Sequence, residues 1–255
     1  MRTPVVKVVI PARNEEGDIG QTLECLRNQT IPIAEIIVVD DGSQDRTAEV
    51  ARAYGAKVIR LPDRGYPAQG RPEMADTFNA GFRAADPCDY ILVLGADHRL
   101  PPEYLETIIR RMEANPKLVA ASGVIEGEPS SLTVPRGSGV VYRFNFLKQI
   151  GFFPRNYGHE DYPWMKALEM GYKITTFQDL RTRATRRTSL TPKKVYYYGR
   201  AMRALGYTLP YALARAVYLT LQGEPLSALY LLAGFLAPRT PKYDVAEFTR
   251  RWQWQ

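Results

Sequence analysis

The chain has 255 residues, of which 45% are hydrophobic and 24% charged, and its formal net charge is +7. That is length enough for one large α/β domain with a small appendage, and the composition is ordinary for a globular protein, which sets aside a disordered or fibrous chain. The positive surplus favours anionic partners (nucleotide diphosphates, anionic lipid or nucleic acid) without selecting one.

In chain order, residues 5–125 alternate strands and helices. Val/Ile/Leu runs predict strands at Val5–Ile10, Glu35–Asp40, Ala56–Arg60, Tyr90–Leu94 and Leu118–Val124. Such runs suit parallel strands covered on both faces. Helices are predicted over Asp18–Gln29, Asp45–Tyr54, Pro72–Ala84 and Pro101–Ala114. Asp45 is placed to cap its helix, and Pro101-Pro102 fits a helix start. The alternation predicts an α/β fold with a doubly wound, mostly parallel sheet flanked by helices.

From about 126 to 190 the pattern is less regular. Glu126–Val134 reads as a polar loop, Ser138–Ile150 and Asp161–Met170 as helices, and Lys173–Phe177 as a strand. Positive charge gathers in Arg181-Thr182-Arg183-Ala184-Thr185-Arg186-Arg187, followed by Lys193 and Lys194. Residues 191–255 change character and are expected to form a helical extension to a domain spanning 1–190. There Tyr207–Leu221 and Leu226–Leu236 are strongly apolar and broken by Gly223-Glu224-Pro225, the pattern of an αα-hairpin. Each run is too short to span a bilayer, and Arg215 interrupts the first. Soluble packing, a dimer contact and a membrane interface all remain open for this hairpin. The isolated Cys25 and Cys88 lack metal spacing and suggest buried thiols in a reducing, cytoplasmic compartment. The amino terminus leads directly into a short strand, so no secretory leader is expected.

Two strand ends carry the functional signal. Val8-Val9-Ile10-Pro11-Ala12-Arg13-Asn14-Glu15-Glu16 and Ile36-Ile37-Val38-Val39-Asp40-Asp41-Gly42-Ser43 each run from a buried-type strand into polar residues. In open α/β sheets the carboxyl ends of strands are where ligands bind, so the pair suggests a nucleotide pocket. Asp-Asp-Gly-Ser alone would also serve as a turn with a helix cap. Together the segments resemble the inverting, GT-A-type nucleotide-sugar glycosyltransferases of family 2, whose first strand ends in I-P-x-x-N-E and whose second ends in V-D-D-G-S. The resemblance covers about residues 4–190 and leaves the tail unaccounted for.

It implies a UDP- or GDP-linked sugar donor held by Pro11, Ala12, Arg13 and Glu15 at the first strand end. Asp40 or Asp41 would accept from the base or ribose. Arg71 follows Gly70 ahead of the helix carrying Asn79-Ala80-Gly81, where relatives have Gly-Lys-Gly or Gly-Arg, and would contact the diphosphate. After the fourth strand the chain reads Leu94-Gly95-Ala96-Asp97-His98-Arg99-Leu100-Pro101-Pro102-Glu103, where the family has D-x-D. Two carboxylates there approach a divalent cation, Mn or Mg, that bridges the diphosphate. Here Gly95 replaces the first, leaving Ala96 and Asp97 at the donor and Asp97 as the metal residue.

The frame is especially similar to polyprenyl-phosphate hexose synthases, and their further glutamine ligand falls on Arg99. Metal binding is therefore expected to be weak or dispensable, to use His98 or His159, or to be partly replaced by Arg99 acting on the phosphates. A hydrogen-bonding role for the two histidines is the alternative. In Gly158-His159-Glu160-Asp161-Tyr162, ahead of Gly171-Tyr172-Lys173, the family carries an E-D pair. The resemblance assigns Asp161 as the base that deprotonates the acceptor, with Glu160 beside it. Aligning from the helix end gives Glu160 that place instead, and helix capping by the pair is the structural alternative. Arg186 and Arg187 are candidates to close over the diphosphate or meet a phosphorylated lipid.

The expected activity is inverting transfer of a hexose to an unknown acceptor, a lipid-linked one or a polyprenyl phosphate among the candidates, with peripheral contact at the cytoplasmic membrane face. The alternative is a nucleotide-sugar-binding protein with weak or lost catalysis, because D-x-D is degenerate. Nucleic acid is not expected as a partner, since the interleaved aromatic and basic strands of single-strand binders are absent.

Overall fold

The computed structural model describes residues 3–186 and 191–253. Within them the chain forms two compact units. One is built from residues 3–67, 77–152 and 171–186, the other from residues 68–76, 153–170 and 191–253.

The first unit carries an eight-stranded sheet in the order β3-β2-β1-β4-β7-β6-β8-β5. Its strands are β1 (Val6–Ala12), β2 (Glu35–Asp40), β3 (Lys57–Arg60), β4 (Tyr90–Val93), β5 (His98–Arg99), β6 (Leu118–Ile125), β7 (Val140–Arg143) and β8 (Lys173–Ala184). β3, β2, β1 and β4 run parallel, as the early strand pattern predicts. β7 is antiparallel to both β4 and β6, β6 and β8 are parallel, and β5 pairs antiparallel with the end of β8. The sheet is thus mixed but mostly parallel.

Alternate residues of β1 point to opposite faces. Val6, Val8 and Ile10 join a core with Ile19, Leu23 and Leu26 of α1 (Ile19–Arg27). Tyr104, Leu105, Ile108, Ile109 and Met112 of α4 (Tyr104–Glu113) belong to the same core. α2 (Thr47–Ala53) adds Ala51. Val9 faces the other way, toward α3 (Met74–Ala85), where a Cβ on Gly81 would lie 2.4 Å from its Cγ1. That helix can lie so close to the sheet only because position 81 has no side chain. The expected placement of helices on both faces of the sheet therefore has a concrete cause in the period-two alternation of β1.

The helix expected over Ser138–Ile150 is instead strand β7 followed by α5 (Phe144–Gln149). Val140, Val141 and Tyr142 are β-branched or aromatic and fill the slot between β4 and β6, where tertiary pairing overrides a weak helical pattern. The strand expected at Lys173–Phe177 continues to Ala184, past irregularities in its pairing with β6. Both cysteines are unpaired and half-buried rather than fully buried.

The second unit is helical: α6 (Tyr162–Glu169), α7 (Pro192–Leu205), α8 (Leu209–Leu221), α9 (Pro225–Leu236) and α10 (Ala246–Trp252). α8 and α9 are the expected hairpin. α7 starts at Pro192, its cap Thr191 accepts from Lys194 N at 3.4 Å, and it stops at Gly206, which has φ of 93°. α7 and α9 touch backbone to backbone. A Cβ on Gly199 would sit 2.1 Å from the Leu231 carbonyl oxygen, and one on Gly234 would sit 2.0 Å from that of Tyr196. Among the described residues no helix is long and apolar enough to cross a membrane.

Candidate active-site residues

In the first unit the predicted residues gather at the carboxyl ends of β1, β2 and β4. Pro11 and Ala12 close β1 beside Val39 and Asp40 of β2. Asp40 is fully buried; its Oδ1 accepts from Ser43 N at 2.8 Å and its Oδ2 lies 3.3 Å from Arg60 Nε. The turn-forming role of Asp-Asp-Gly-Ser is therefore real for Asp40. Asp41 accepts from Thr77 Oγ1 at 3.0 Å and from Arg64 Nη1. Arg13 donates to the Asp41 carbonyl and, at 2.6 Å, to Asp63 Oδ1, so it clamps the two strand ends to the following loop. Asp63 is held below the usual carboxylate range by that Arg13 hydrogen bond. Arg60, Asp63, Arg64 and Thr77 carry no motif of their own, and their part in this network emerges only from the fold.

Glu15 and Asp97 come together around one arginine. Arg186 Nη2 donates to both Glu15 oxygens at 2.6 Å, and its Nε donates to Asp97 Oδ2 at 3.1 Å. The segment is fixed there by its backbone, since Thr185 N donates to the Asp97 carbonyl at 3.0 Å. Burial raises the Glu15 carboxyl, and the Arg186 hydrogen bond and charge oppose that rise. The Glu15 hydrogen bond drives the Arg186 guanidinium further up. Ala96 presents its carbonyl to Thr22 Oγ1. Arg187 lies outside the described residues.

Two expectations about the cation position change here. Arg99 is not directed to a phosphate site: it is spent on the first turn of α1, with Nη2 3.1 Å from both the carbonyl and Oδ1 of Asp18 and Nη1 on Thr22 Oγ1. His98 is not available as a ligand either. Its Nδ1 and Nε2 each lie 2.7 Å from a hydroxyl oxygen, of Ser138 and Thr182, and burial pushes its pKa down to about 4. His159, in the second unit, is buried with Nδ1 3.2 Å from the Asn156 carbonyl, and burial lowers it to about 4 as well. Both histidines therefore act as neutral hydrogen-bonding groups.

Among the described residues no group of three or more His, Cys, Asp or Glu side chains is arranged to hold a metal ion. Glu15 and Asp97, the two carboxylates at this position, already share a guanidinium, and at Gly95 a Cβ would lie 3.2 Å from both Asp97 Oδ1 and Ser138 Oγ. A resident divalent cation, which takes hard oxygen donors in number, does not fit this set.

In the second unit, Glu160 and Asp161 stand at the head of α6. Asp161 is the N-cap residue but makes no side-chain cap bond, so the capping alternative is not what the structure shows. Burial, with the neighbouring Asp161 charge second, pushes Glu160 up to about 7, and burial pushes Asp161 up to about 6. The charge of Asp161 also reaches Tyr198, Tyr207 and Tyr243, whose phenols are raised chiefly by burial. The Tyr243 ring lies tilted against Tyr162 with centroids 4.9 Å apart, and its buried hydroxyl has no hydrogen-bond partner among the described residues. Nothing in the motifs points to these tyrosines. Arg71 belongs to the same unit, with its guanidinium 5.3 Å from the Tyr197 ring centre.

Comparison with known proteins places this arrangement. The glycosyl transferase family 2 profile matches residues 7–171. EpsH of Bacillus subtilis (strain 168), which carries a glycosyltransferase name, is 30% identical over 148 residues, covering 56% of this chain and 40% of EpsH. The 4,4'-diaponeurosporenoate glycosyltransferase of Staphylococcus aureus (strain USA300) is 50% identical over 56 residues, covering 22% of this chain and 15% of that protein. The matched region is thus well under half of either relative. Among solved structures, the mannosyltransferase PcManGT from Pyrobaculum calidifontis, in complex with GDP-Man and Mn2+, superposes with a TM-score of 0.68 at 18% identity, covering 92% of this chain and 87% of that one. Glucosyl-3-phosphoglycerate synthase from Mycobacterium tuberculosis gives 0.62 at 19% identity, covering 78% of each chain. These likenesses establish the GT-A fold, and the profile match establishes the lineage: the chain belongs to glycosyl transferase family 2.

Proposed function

We propose that the chain is an inverting glycosyltransferase that moves a hexose from a UDP- or GDP-linked donor to an acceptor hydroxyl. The observation that carries this reading is the Glu160–Asp161 pair. Neither carboxylate has a cation beside it among the described residues, and burial holds Asp161 near 6, where a general base works at neutral pH. Asp161 takes the acceptor proton as the acceptor oxygen bonds to the anomeric carbon, and the bond from that carbon to the diphosphate oxygen breaks, its electron pair leaving with the nucleoside diphosphate. Glu160 keeps Asp161 company as a second, more easily protonated acid. The donor class is supported by relatives: PcManGT was solved with GDP-Man, and TarS of S. aureus with UDP and with UDP-GlcNAc. Pro11, Ala12, Arg13, Glu15, Asp41, Ala96 and Asp97 of the first unit are the residues we assign to the donor.

The test is Asp161→Asn. It should lower kcat roughly 10²–10⁴-fold while nucleotide affinity stays within about twofold. Near-normal turnover would move the base to Glu160 or remove it altogether. A lipid phosphate is largely ionised at neutral pH and needs no base, so a large loss also selects a hydroxyl acceptor over a phosphate.

We further propose that the acceptor is lipid-linked and that the second unit rests on the cytoplasmic membrane face. Leu221, Leu226 and Leu229 are 79%, 57% and 65% exposed on the α8–α9 hairpin, and α9 carries no charged residue. Thr191, Pro192, Lys193, Tyr196, Tyr197 and Tyr230 line an open groove of about 450 Å3 suited to an amphipathic chain. The net charge of +7 suits anionic headgroups, and two unpaired cysteines suit a reducing compartment. Sedimentation with phosphatidylglycerol-containing vesicles should retain the protein and lose the double variant Leu226→Ser, Leu229→Ser. Equal retention of both proteins, or of neither, would remove the membrane from the proposal.

A specific feature favours a second reading, a nucleotide-sugar-binding protein with feeble catalysis. Gly95 supplies no carboxylate where the family places the first of its metal pair. Release of sugar from labelled donor by the wild type, abolished in the Asp161→Asn variant, would exclude it.

A further inference from the structure

Resting on the donor site read above, we propose that Arg186 takes the place of the divalent cation: its guanidinium sits on Glu15 and Asp97 and offers its remaining N–H donors to the diphosphate, so nucleotide binding requires no metal. In a metal-using site a cation lies between protein carboxylates on one side and diphosphate oxygens on the other. The guanidinium has the same layout here. Nε and Nη2 are used by Asp97 and Glu15, whereas Nη1 has no partner among the described residues. The Arg186 side chain is 56% exposed, against 15% for Glu15 and 22% for Asp97, so the free edge can be reached by a ligand.

Its place is set by more than the two ion pairs. Arg183 and Ala184 pair with Arg99 and His98 through β5 and β8, and Thr185 continues the attachment with its backbone on Asp97 and its hydroxyl 3.0 Å from Asp18 Oδ1. The other candidates are occupied: Arg99 holds α1, and His98 bridges two hydroxyls. Sequence and geometry agree as well. The carboxylate missing at Gly95 lowers the negative charge to what one monovalent guanidinium can partly balance, where a divalent ion would want both acids. Arginine is charged at every accessible pH, and its planar fork suits phosphate oxygens.

The test is calorimetric titration of UDP, UMP, GDP and GMP into the intact protein, in EDTA and in Mn2+. For the base that binds, the diphosphate should be preferred over the monophosphate, with affinities in EDTA and Mn2+ within about twofold. Arg186→Gln should weaken the diphosphate roughly tenfold or more and the monophosphate less than twofold, as expected for a lost charge-assisted hydrogen bond. Arg186→Lys should recover part of the loss, and unchanged thermal melting of both variants shows that folding is intact. Tightening of the wild type by Mn2+ of tenfold or more would overturn the proposal while leaving the nucleotide-sugar reading in place. An unchanged diphosphate preference in Arg186→Gln would overturn it too. If neither base binds in any condition, the donor site itself is wrong and the proposal falls with it.

Discussion

In the first unit Asp40, Asp41, Glu15 and Asp97 each meet an arginine, respectively Arg60, Arg64 and, for the last two, Arg186. In the second unit Glu160 and Asp161 meet none among the described residues, and burial drives both carboxyls upward. Paired acids are fixed in one charge state and hold loops in register; they build a scaffold. Unpaired acids in a poorly solvated place can exchange a proton near neutrality; they are equipped for chemistry. The contrast separates scaffold from candidate catalyst using the same residue types.

The contrast can be broken at either end. The largest effect on stability belongs to Asp40, whose removal leaves the buried Ser43 amide without its acceptor and takes from the exposed Arg60 its carboxylate partner. Asp40→Ala should cost about 2–3 kcal/mol in urea unfolding. A loss below about 0.5 kcal/mol would mean that the turn does not depend on this carboxylate. Glu160 should behave in the opposite sense. Its folded pKa lies near 7, above the ordinary 4.5, so the folded protein holds a proton that the unfolded chain releases in that interval. Stability from this group is present below about 4.5 and lost as pH rises through about 7. Glu160→Gln should therefore stabilise by about 1 kcal/mol at pH 8, after discounting for solvent screening, and by nothing measurable at pH 4. A pH-independent gain would assign the effect to packing instead.

How much of this was legible in the sequence follows from range and pattern. β1 and β2 are uninterrupted apolar runs ending in polar residues, and they fall within two residues of their expected bounds. β7 is only four residues long and runs straight into α5, so its helical neighbour masks it. α7 carries a Thr cap, Pro192 at its start and Gly206 at its end, signals that stand in the sequence and mark both of its ends. The acid pair at Glu160–Asp161 is local and could be found by motif. The meeting of Arg186 with Glu15 joins residues 171 positions apart, and no spacing rule reaches that far. For the same reason the engagement of Arg99 with Asp18 and Thr22 needed the folded α1 to reveal it.

Gly199 and Gly234 let α7 and α9 meet carbonyl against backbone, with no side chains between them to yield. Two helices seated this way cannot slip along each other by a fraction of a turn without forcing an oxygen into main-chain atoms. α7 bears Tyr198, whose phenol lies within the field of Asp161, so the notch of two glycines ties the exposed side of the hairpin to the helix that carries this phenol.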